Sequence, residues 1–267
     1  MAEFVERYGP WAVVAGASEG IGASFSQKLA GRGMNLVLVA RRAAPLEELA
    51  TQLRQKHGVE VKVQPLDVSS PDAVAAMSAA TEGLDIGLMI YNAAYSPIGA
   101  FLDIDVEEHL KAVDVNVYGP LRLSHYFGRR FVERGRGGII LMSSMSGFQG
   151  TAMVANYAAT KAYDMVLAEG LWYELQRHGV DVLACVAGAT LTPNYESSTD
   201  RIPTKGLARP MAPADVTEQA LFDLGQRPRG VSGGRNRFAS VLLSRLLSRR
   251  AAVKMVSKET ERLFRRF

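Results

Sequence analysis

A glycine-rich turn that follows directly on a short apolar run constrains this chain more than any other feature. Trp11-Ala-Val-Val-Ala15 is uninterrupted in its apolar character and runs without a linker into Gly16-Ala-Ser-Glu-Gly-Ile-Gly22. So short and so apolar a run reads as a strand buried on both faces, which points to a parallel sheet. Parallel strands need crossover connections, so helices must lie over the sheet. The glycines let the backbone turn sharply into the helix predicted over 23–32 and leave room for an anion at that helix's N-terminus.

The same alternation repeats down the chain. Runs at 35–40, 59–66, 86–91, 138–143 and 180–186 read as further strands, and helical periods fill the intervals at 45–57, 106–134, 154–178 and 213–226. Pro45 suits a first helical turn, and Leu110, Val113, Val117, Leu121 and Phe127 keep the period of the long segment. Strands alternating with helices predict an α/β fold, a three-layer, Rossmann-like, doubly wound parallel sheet in a single domain, here with a basic helical C-terminal extension. A chain of 267 residues, 48% hydrophobic and 22% charged, can bury the core this requires and lacks the composition of a disordered segment.

Candidate chemistry concentrates between Ser144 and Lys161. Ser144 closes the apolar run, while Tyr157 and Lys161 open the helical period of 154–178. Four residues apart on a helix, they stack on one face, and an ammonium beside a phenol lowers the Tyr pKa from its usual value of about 10. Tyr157 is then an acid or base usable near neutral pH. Alone, a Tyr-x-x-x-Lys pair is ordinary helix surface. Set thirteen residues after a strand-end Ser and downstream of the glycine turn, it resembles the short-chain dehydrogenase/reductase family.

That resemblance implies reversible hydride transfer between NADP(H) and a carbonyl carbon, with Asn116, Ser144, Tyr157 and Lys161 as the catalytic set. Ser144 would hydrogen-bond the carbonyl oxygen and Tyr157 would deliver the proton. Lys161 would hold the ribose hydroxyls and depress the Tyr157 pKa. Asn116, in an Asn-x-x-Gly that ends at Gly119, would kink its helix and hold a water on the proton path. The family pattern places the cofactor on Gly16, Ser18, Glu19, Gly20, Ile21 and Gly22 of the turn and on Arg41 and Arg42 after the second strand. It adds Asp67 and Val68 at the adenine, Asn92 and Ala93 at the centre of the sheet, and Gly188, Thr190 and Thr192 near the nicotinamide, besides Tyr157 and Lys161. The chain departs from the pattern at Ala15, which stands for a Thr, at Tyr91 and Ala94 around Asn92, and at Ala187, which stands for a Pro.

Residue chemistry also speaks to the nucleotide. No Asp or Glu lies between 37 and 45, and an Arg at the end of the second strand can clamp a 2′-phosphate where an acid would bond the ribose hydroxyl of NAD. The plainer reading of Arg41 and Arg42 is a solvated basic pair capping the next helix. Asp67 equally suits a helix cap before Pro71.

On this reading residues 1–226 form the NADP-binding catalytic domain, within which 193–212, proline-rich and without period, is the substrate lid. Residues 227–267 form the basic extension, with twelve Lys and Arg against Glu259 and Glu261. It divides into a glycine-containing stretch, 227–237, and a helical pattern over 238–267, apolar on one side and Arg-rich on the other. A cover over the substrate pocket or an oligomer contact is the leading reading; peripheral contact with an anionic membrane surface comes second. Nucleic acid comes last, since aromatic residues and a recognition fold are lacking. The apolar stripes of 106–134 and 154–178 exceed what one subunit can cover and predict a homodimer or homotetramer.

Other classes are disfavoured. Cys185 is the sole cysteine, so no internal disulfide forms and a buried inert thiol is expected. The N-terminus has no apolar core, and no run approaches the roughly 18 apolar residues of a membrane span, so a cytoplasmic protein is expected. His57, His109, His125 and His178 lack partners at ligand spacing, which argues against a metal, and no Gly-x-Ser-x-Gly elbow surrounds Ser144. Ala40-Arg-Arg, the Ala212-Pro-Ala-Asp-Val216 helix opening and the apolar-basic tail look similar to family members that reduce bulky ketones, 3-ketoacyl thioesters or steroids, an analogy at subgroup level. The alternative is a non-catalytic NADP-binding sensor or scaffold, against which the intact Ser, Tyr and Lys argue.

Overall fold

The run read as the first strand is one: β1 (Trp11–Ala15) follows a short helix α1 (Ala2–Tyr8), and all its residues are buried. From there helices and strands alternate as α2 (Gly20–Ala30), β2 (Asn35–Ala40), α3 (Ala43–His57), β3 (Val61–Pro65), α4 (Ala73–Ala80) and β4 (Ile86–Tyr91). The middle of the chain gives α5 (Val106–Val113), α6 (Gly119–Arg134), β5 (Gly137–Ser144), α7 (Ala155–Leu175) and β6 (Val180–Ala187). It ends with α8 (Pro193–Ser198), α9 (Pro213–Asp223), β7 (Arg229–Val231), α10 (Gly234–Val241) and α11 (Arg249–Leu263). The computed structural model describes residues 2–199, 202–206 and 208–264. Arg265 and Arg266 of the basic tail lie outside them.

The strands make one parallel sheet in the order β3-β2-β1-β4-β5-β6-β7. Strand order reverses between β1 and β4, so the loops leaving their carboxyl ends part in opposite directions and open a crevice there. Alternation along each strand supplies two cores. Val14, Leu38, Ile90 and Leu183 face α2, α3 and α9, packing on Phe25, Leu46 and Val216. Val13, Val39, Met89 and Val182 face α6 and α7, packing on Phe127, Phe131 and Met165. Phe127 and Phe131 are fully buried with ring centroids 5.9 Å apart, and truncating either to Ala would cost about 3–5 kcal/mol. This is the expected doubly wound, three-layer architecture.

The long helix predicted over 106–134 is interrupted. A π-helical turn at Asp114–Tyr118 separates α5 from α6, with Asn116 at its centre and fully buried. Beyond α9 the stretch 227–237 contains β7, which pairs with β6 through Ala184–Val186, so the sheet continues past residue 226. The pattern over 238–267 is also divided: α10 runs into a π turn at Leu242–Leu246, Leu247 is extended, and α11 begins at a Ser248 cap. No described helix is long and apolar enough to cross a membrane, and no cluster of His, Cys, Asp and Glu among the described residues could hold a metal.

Candidate active site

The carboxyl ends of β1 to β4 open on one cleft of about 890 Å³, at the upper end of the range for small-molecule sites. Its floor is the glycine turn. Gly16 leaves β1 at φ +80, where a Cβ would sit 2.6 Å from the Ala93 amide nitrogen. A Cβ on Gly22 would run into the Gly16 carbonyl and stand 2.8 Å from Asn92 Nδ2. Side chains are therefore excluded where β1, α2 and the end of β4 converge. Asn92 Nδ2 locks that junction by donating to the Gly16 carbonyl at 2.9 Å. Glu19, at the N-cap of α2, makes no side-chain cap, so it leaves the first-turn N–H groups to an anion, and the cradle fits a pyrophosphate.

At the adenosine end, Ala40, Arg41, Arg42, Leu66, Asp67 and Val68 line the cleft. Arg42 is spent on Glu19 of the glycine turn at 2.7 Å, whereas Arg41 makes no hydrogen bond or ion pair among the described residues. A guanidinium without a hydrogen-bonded or ion-paired partner among the described residues fits a ribose 2′-phosphate. Burial pushes the Asp67 carboxyl upward, but hydrogen bonds from the Ser69 hydroxyl and amide and the nearby Arg41 and Lys111 hold it below the usual carboxylate range.

Tyr157, on the first turn of α7, lines the same cleft with Ala93, Ala94, Tyr95 and Ser96. Ser144 ends β5 half-buried, and its Oγ accepts the Ser146 amide at 3.2 Å, which caps the 3-10 turn Met145–Phe148 and fixes the hydroxyl at the strand end. Lys161 is 2% exposed. Its Nζ lies 5.8 Å from the Tyr157 ring centroid and donates to the Met142 carbonyl at 2.8 Å and to Asp164 Oδ2 at 2.9 Å. Two of its three N–H bonds are thus committed within the protein. Burial works against the Lys161 charge, yet the Asp164 carboxylate and, to a lesser degree, Tyr157 hold its pKa above that of an ordinary lysine. Burial pushes the Asp164 carboxyl up while Lys161 opposes it; each charge is the other's compensation.

Asn116 spends its side chain on structure. Its Oδ1 accepts the Tyr95 amide at 2.8 Å, and its Nδ2 donates to the Tyr95 carbonyl at 2.8 Å and to Thr160 Oγ1 at 3.0 Å. Thr160 in turn donates to the Tyr157 carbonyl at 2.8 Å. The π turn is therefore tied both to the cleft wall and to the turn of α7 that carries Tyr157. Both N–H bonds of the side-chain amide are spent in this way.

On the lid side, Thr192 lines the cleft and caps α8, its Oγ1 accepting the Tyr195 amide at 3.1 Å. Gly188 has no room for a Cβ against the Asn236 amide, and Thr190 is buried with its hydroxyl donated to the Gly188 carbonyl at 3.0 Å. Of the residues singled out from sequence, Gly16, Ser18, Glu19, Gly20, Ile21, Arg41, Arg42, Asp67, Val68, Asn92, Ala93, Tyr157 and Thr192 line the cleft. Gly22, Asn116, Ser144, Lys161, Gly188 and Thr190 are not among its lining residues and sit behind or beside it.

Four participants escaped the sequence reading. Tyr95 forms the wall that Asn116 clamps, Thr160 links Asn116 to α7, and Ser143 ties β5 to α7 by donating to the Lys161 carbonyl at 2.6 Å. Asp164 is the fourth; an acid three residues after a lysine on one helix was the available signal. The tail closes the outer side. Arg249 donates to the Phe148 carbonyl at 2.5 Å, Ser257 accepts the Ala152 amide at 3.1 Å, Thr260 donates to the Ala152 carbonyl at 3.1 Å, and Thr199 donates to the Leu263 carbonyl at 2.9 Å. α11 thus holds the loop between Ser144 and Tyr157 together with the first part of the lid.

A family model described as short chain dehydrogenase matches residues 10–202. The chain is 38% identical over 234 residues to a 7beta-hydroxysteroid dehydrogenase of Clostridium sardiniense, which covers 88% of this chain and 89% of that one. The solved structure of a 7beta-hydroxysteroid dehydrogenase studied for its stereoselectivity superposes with a TM-score of 0.88 at 33% identity, over 95% of this chain and 98% of the other. A short-chain dehydrogenase from Sphingobium yanoikuyae in complex with NADPH superposes with a TM-score of 0.77 at 30% identity, over 89% and 94%.

Proposed function

The chain belongs to the short-chain dehydrogenase/reductase family and is an oxidoreductase that uses NADP(H); from that premise we propose that it interconverts a secondary alcohol and a ketone on a bulky alicyclic, hydroxysteroid-type substrate. The observation that carries the reading is the rim of the cleft, where the Tyr157 phenol lines a nucleotide cradle on the same helix as the buried Lys161 ammonium. NADPH supplies the hydride when bound. Ser144 hydrogen-bonds the carbonyl oxygen and orients it. Tyr157 gives that oxygen its proton as negative charge develops, so the stabilisation is largest in the transition state. The Lys161 ammonium, 5.8 Å from the Tyr157 ring centroid, stabilises the phenolate that takes the proton back in the reverse direction. Thr192 on the cleft wall, with Gly188 behind it, would bound the nicotinamide end, and Arg41 would take the 2′-phosphate.

A steroid-type ring system is favoured over a short ketone by the relatives' chemistry; α8, which lines the cleft, is followed by Thr199, whose hydroxyl ties this part of the lid to the Leu263 carbonyl of α11. The test follows loss of NADPH absorbance with 7-oxo steroids, 3-oxoacyl thioesters and short aliphatic ketones. The steroid should lead by at least about tenfold in kcat/KM; a lead for the thioester removes the substrate assignment. Tyr157→Phe should lower kcat by about 10²–10⁴-fold while NADPH still binds, and unchanged turnover refutes the mechanism.

The subunit reading is a homodimer or homotetramer in the cytoplasm. Tyr118, Leu121, Val166 and Tyr173, around α6 and α7, are exposed, and a second copy of the same helices would cover them. Sedimentation showing only monomer at micromolar concentration would sink this. The tail is read as a cover, since its hydrogen bonds go to the Phe148–Ala152 loop and the lid; binding to anionic vesicles at physiological salt would restore the membrane reading.

A further inference from the structure

The face of α7 that meets the sheet should be apolar, yet only half of its buried residues are. Its buried residues are Ala158, Thr160, Lys161, Asp164, Met165 and Ala168, so one full cation and one full anion stand in the core. Lys161 and Asp164 are 2% and 1% exposed, with Nζ 2.9 Å from Oδ2. A buried ion pair adds little net stability, because desolvation offsets its attraction. Asp164 is also poorly employed as a structural group, for its Oδ1 has no hydrogen-bond partner among the described residues. What the carboxylate does have is the single charge-compensating contact to the ammonium on which the chemistry of Tyr157 depends.

We propose that Asp164 is a positioning residue of the reaction, which holds Lys161 charged and aimed inside the core so that its ammonium can stabilise the Tyr157 phenolate. The inference rests on the functional reading given above. The Met142 carbonyl and Asp164 fix two of the three Lys161 N–H bonds, and they hold Nζ 5.8 Å from the Tyr157 ring centroid. A carbonyl alone cannot compensate a buried ammonium, and buried lysines without a counter-ion lose their proton near or below neutral pH. Without Asp164 the cation beside Tyr157 would therefore be lost over much of the working range. This agrees with the Asp164 carboxylate being the main group that keeps the Lys161 pKa up against burial.

Few other groups could take over. The ionisable side chains that feel the pair are Tyr157 and Tyr163 on α7 and Tyr91 on β4. β5 carries no ionisable side chain, and on β6 Asp181 is bonded to Tyr8 and Cys185 to Ser232. Arg229 of β7 pairs with Glu169 of α7. Asp114 and Tyr118 of the π turn, His109 of α5 and the charged side chains of α6 make no hydrogen bond or ion pair with either member.

The experiment measures alcohol oxidation against pH, because the rising limb reports formation of the phenolate that accepts the substrate proton. Asp164→Asn should move that limb upward by at least about one pH unit, with NADP(H) affinity, read by fluorescence titration, within about threefold of the parent. Asp164→Glu, which keeps the charge, should leave the limb less than half as far from its original position as Asp164→Asn does. Asp164→Ser is measured alongside in case the Asn variant does not fold. An unmoved or downward-shifted limb in whichever of the two folds overturns the proposal while leaving the enzyme assignment intact. Absence of any turnover by the unaltered protein overturns both.

Discussion

Asn116→Ala gives the most direct measure of how the cleft is held together. The Asn116 side chain is fully buried and satisfies both backbone groups of Tyr95, each at 2.8 Å, besides donating to Thr160. Truncation leaves that N–H and C=O without partners, and an unsatisfied buried polar group costs about 1–3 kcal/mol. Tyr95 lines the cleft, so water reaches one side and the lower half of the range applies, for a total of about 2–4 kcal/mol. A chain of this length loses about 2–4 °C of Tm per kcal/mol, so the fall should be about 4–16 °C by calorimetry. Turnover should suffer as well, because Thr160 connects Asn116 to the Tyr157 carbonyl. The expected loss in kcat/KM is at least about tenfold, equivalent to about 1.4 kcal/mol of transition-state stabilisation. A Tm within about 1 °C of the parent would show that the Tyr95 backbone is satisfied some other way and that the clamp is not what holds the wall.

Three further outcomes are expected. Arg41→Asp should raise KM for NADPH by about 10–100-fold, the worth of a charge-assisted contact to phosphate, and leave KM for NADH nearly unchanged; an unaltered ratio removes Arg41 from nucleotide selection. Gly22→Ala should abolish NADPH binding in a fluorescence titration while far-UV circular dichroism stays native, since the new methyl group meets the Gly16 carbonyl; retained affinity would mean that the turn adapts. The Cys185 thiol is pushed up to about 12, chiefly by burial, from a usual value of 9.0, so the native protein should resist thiol reagents at neutral pH and react fully in denaturant. Between those two values the unfolded chain loses the thiol proton and the native one keeps it, so this group makes folding less favourable as pH rises. Rapid labelling of the native protein would refute its burial.

How much of this was legible in the sequence depends on whether local pattern or tertiary context decided each element. β1, β2 and β4 carry uninterrupted apolar runs, because a parallel strand is buried on both faces, and their bounds match the reading residue for residue. β7 was missed, since three residues are too few to show a period and the neighbouring glycines suggest a flexible stretch; it is a strand only because β6 offers its edge. The tail looked like one helix because amphipathic spacing says nothing of a π turn at Leu242–Leu246 or of the extended residue after it. At the site, the residue types of the Tyr157 and Lys161 pair were visible and their surroundings were not. Spacing on a helix places the two on one face, but only packing reveals that the ammonium is drawn to Met142 and Asp164. The π turn around Asn116 agrees with the kink that the resemblance implied, while the commitment of its side chain to Tyr95 and Thr160 could come only from the fold.

The two ends of the described chain sit at opposite poles of the sheet. α1 is anchored where strands begin, through Tyr8 and Arg7 on Asp181 at the start of β6, whereas α11 is stitched to the loop and lid beside the strands' exits. Handles for purification or immobilisation are therefore not interchangeable: one fused behind Phe267 pulls on the substrate doorway, and one placed ahead of Ala2 hangs from the blind side.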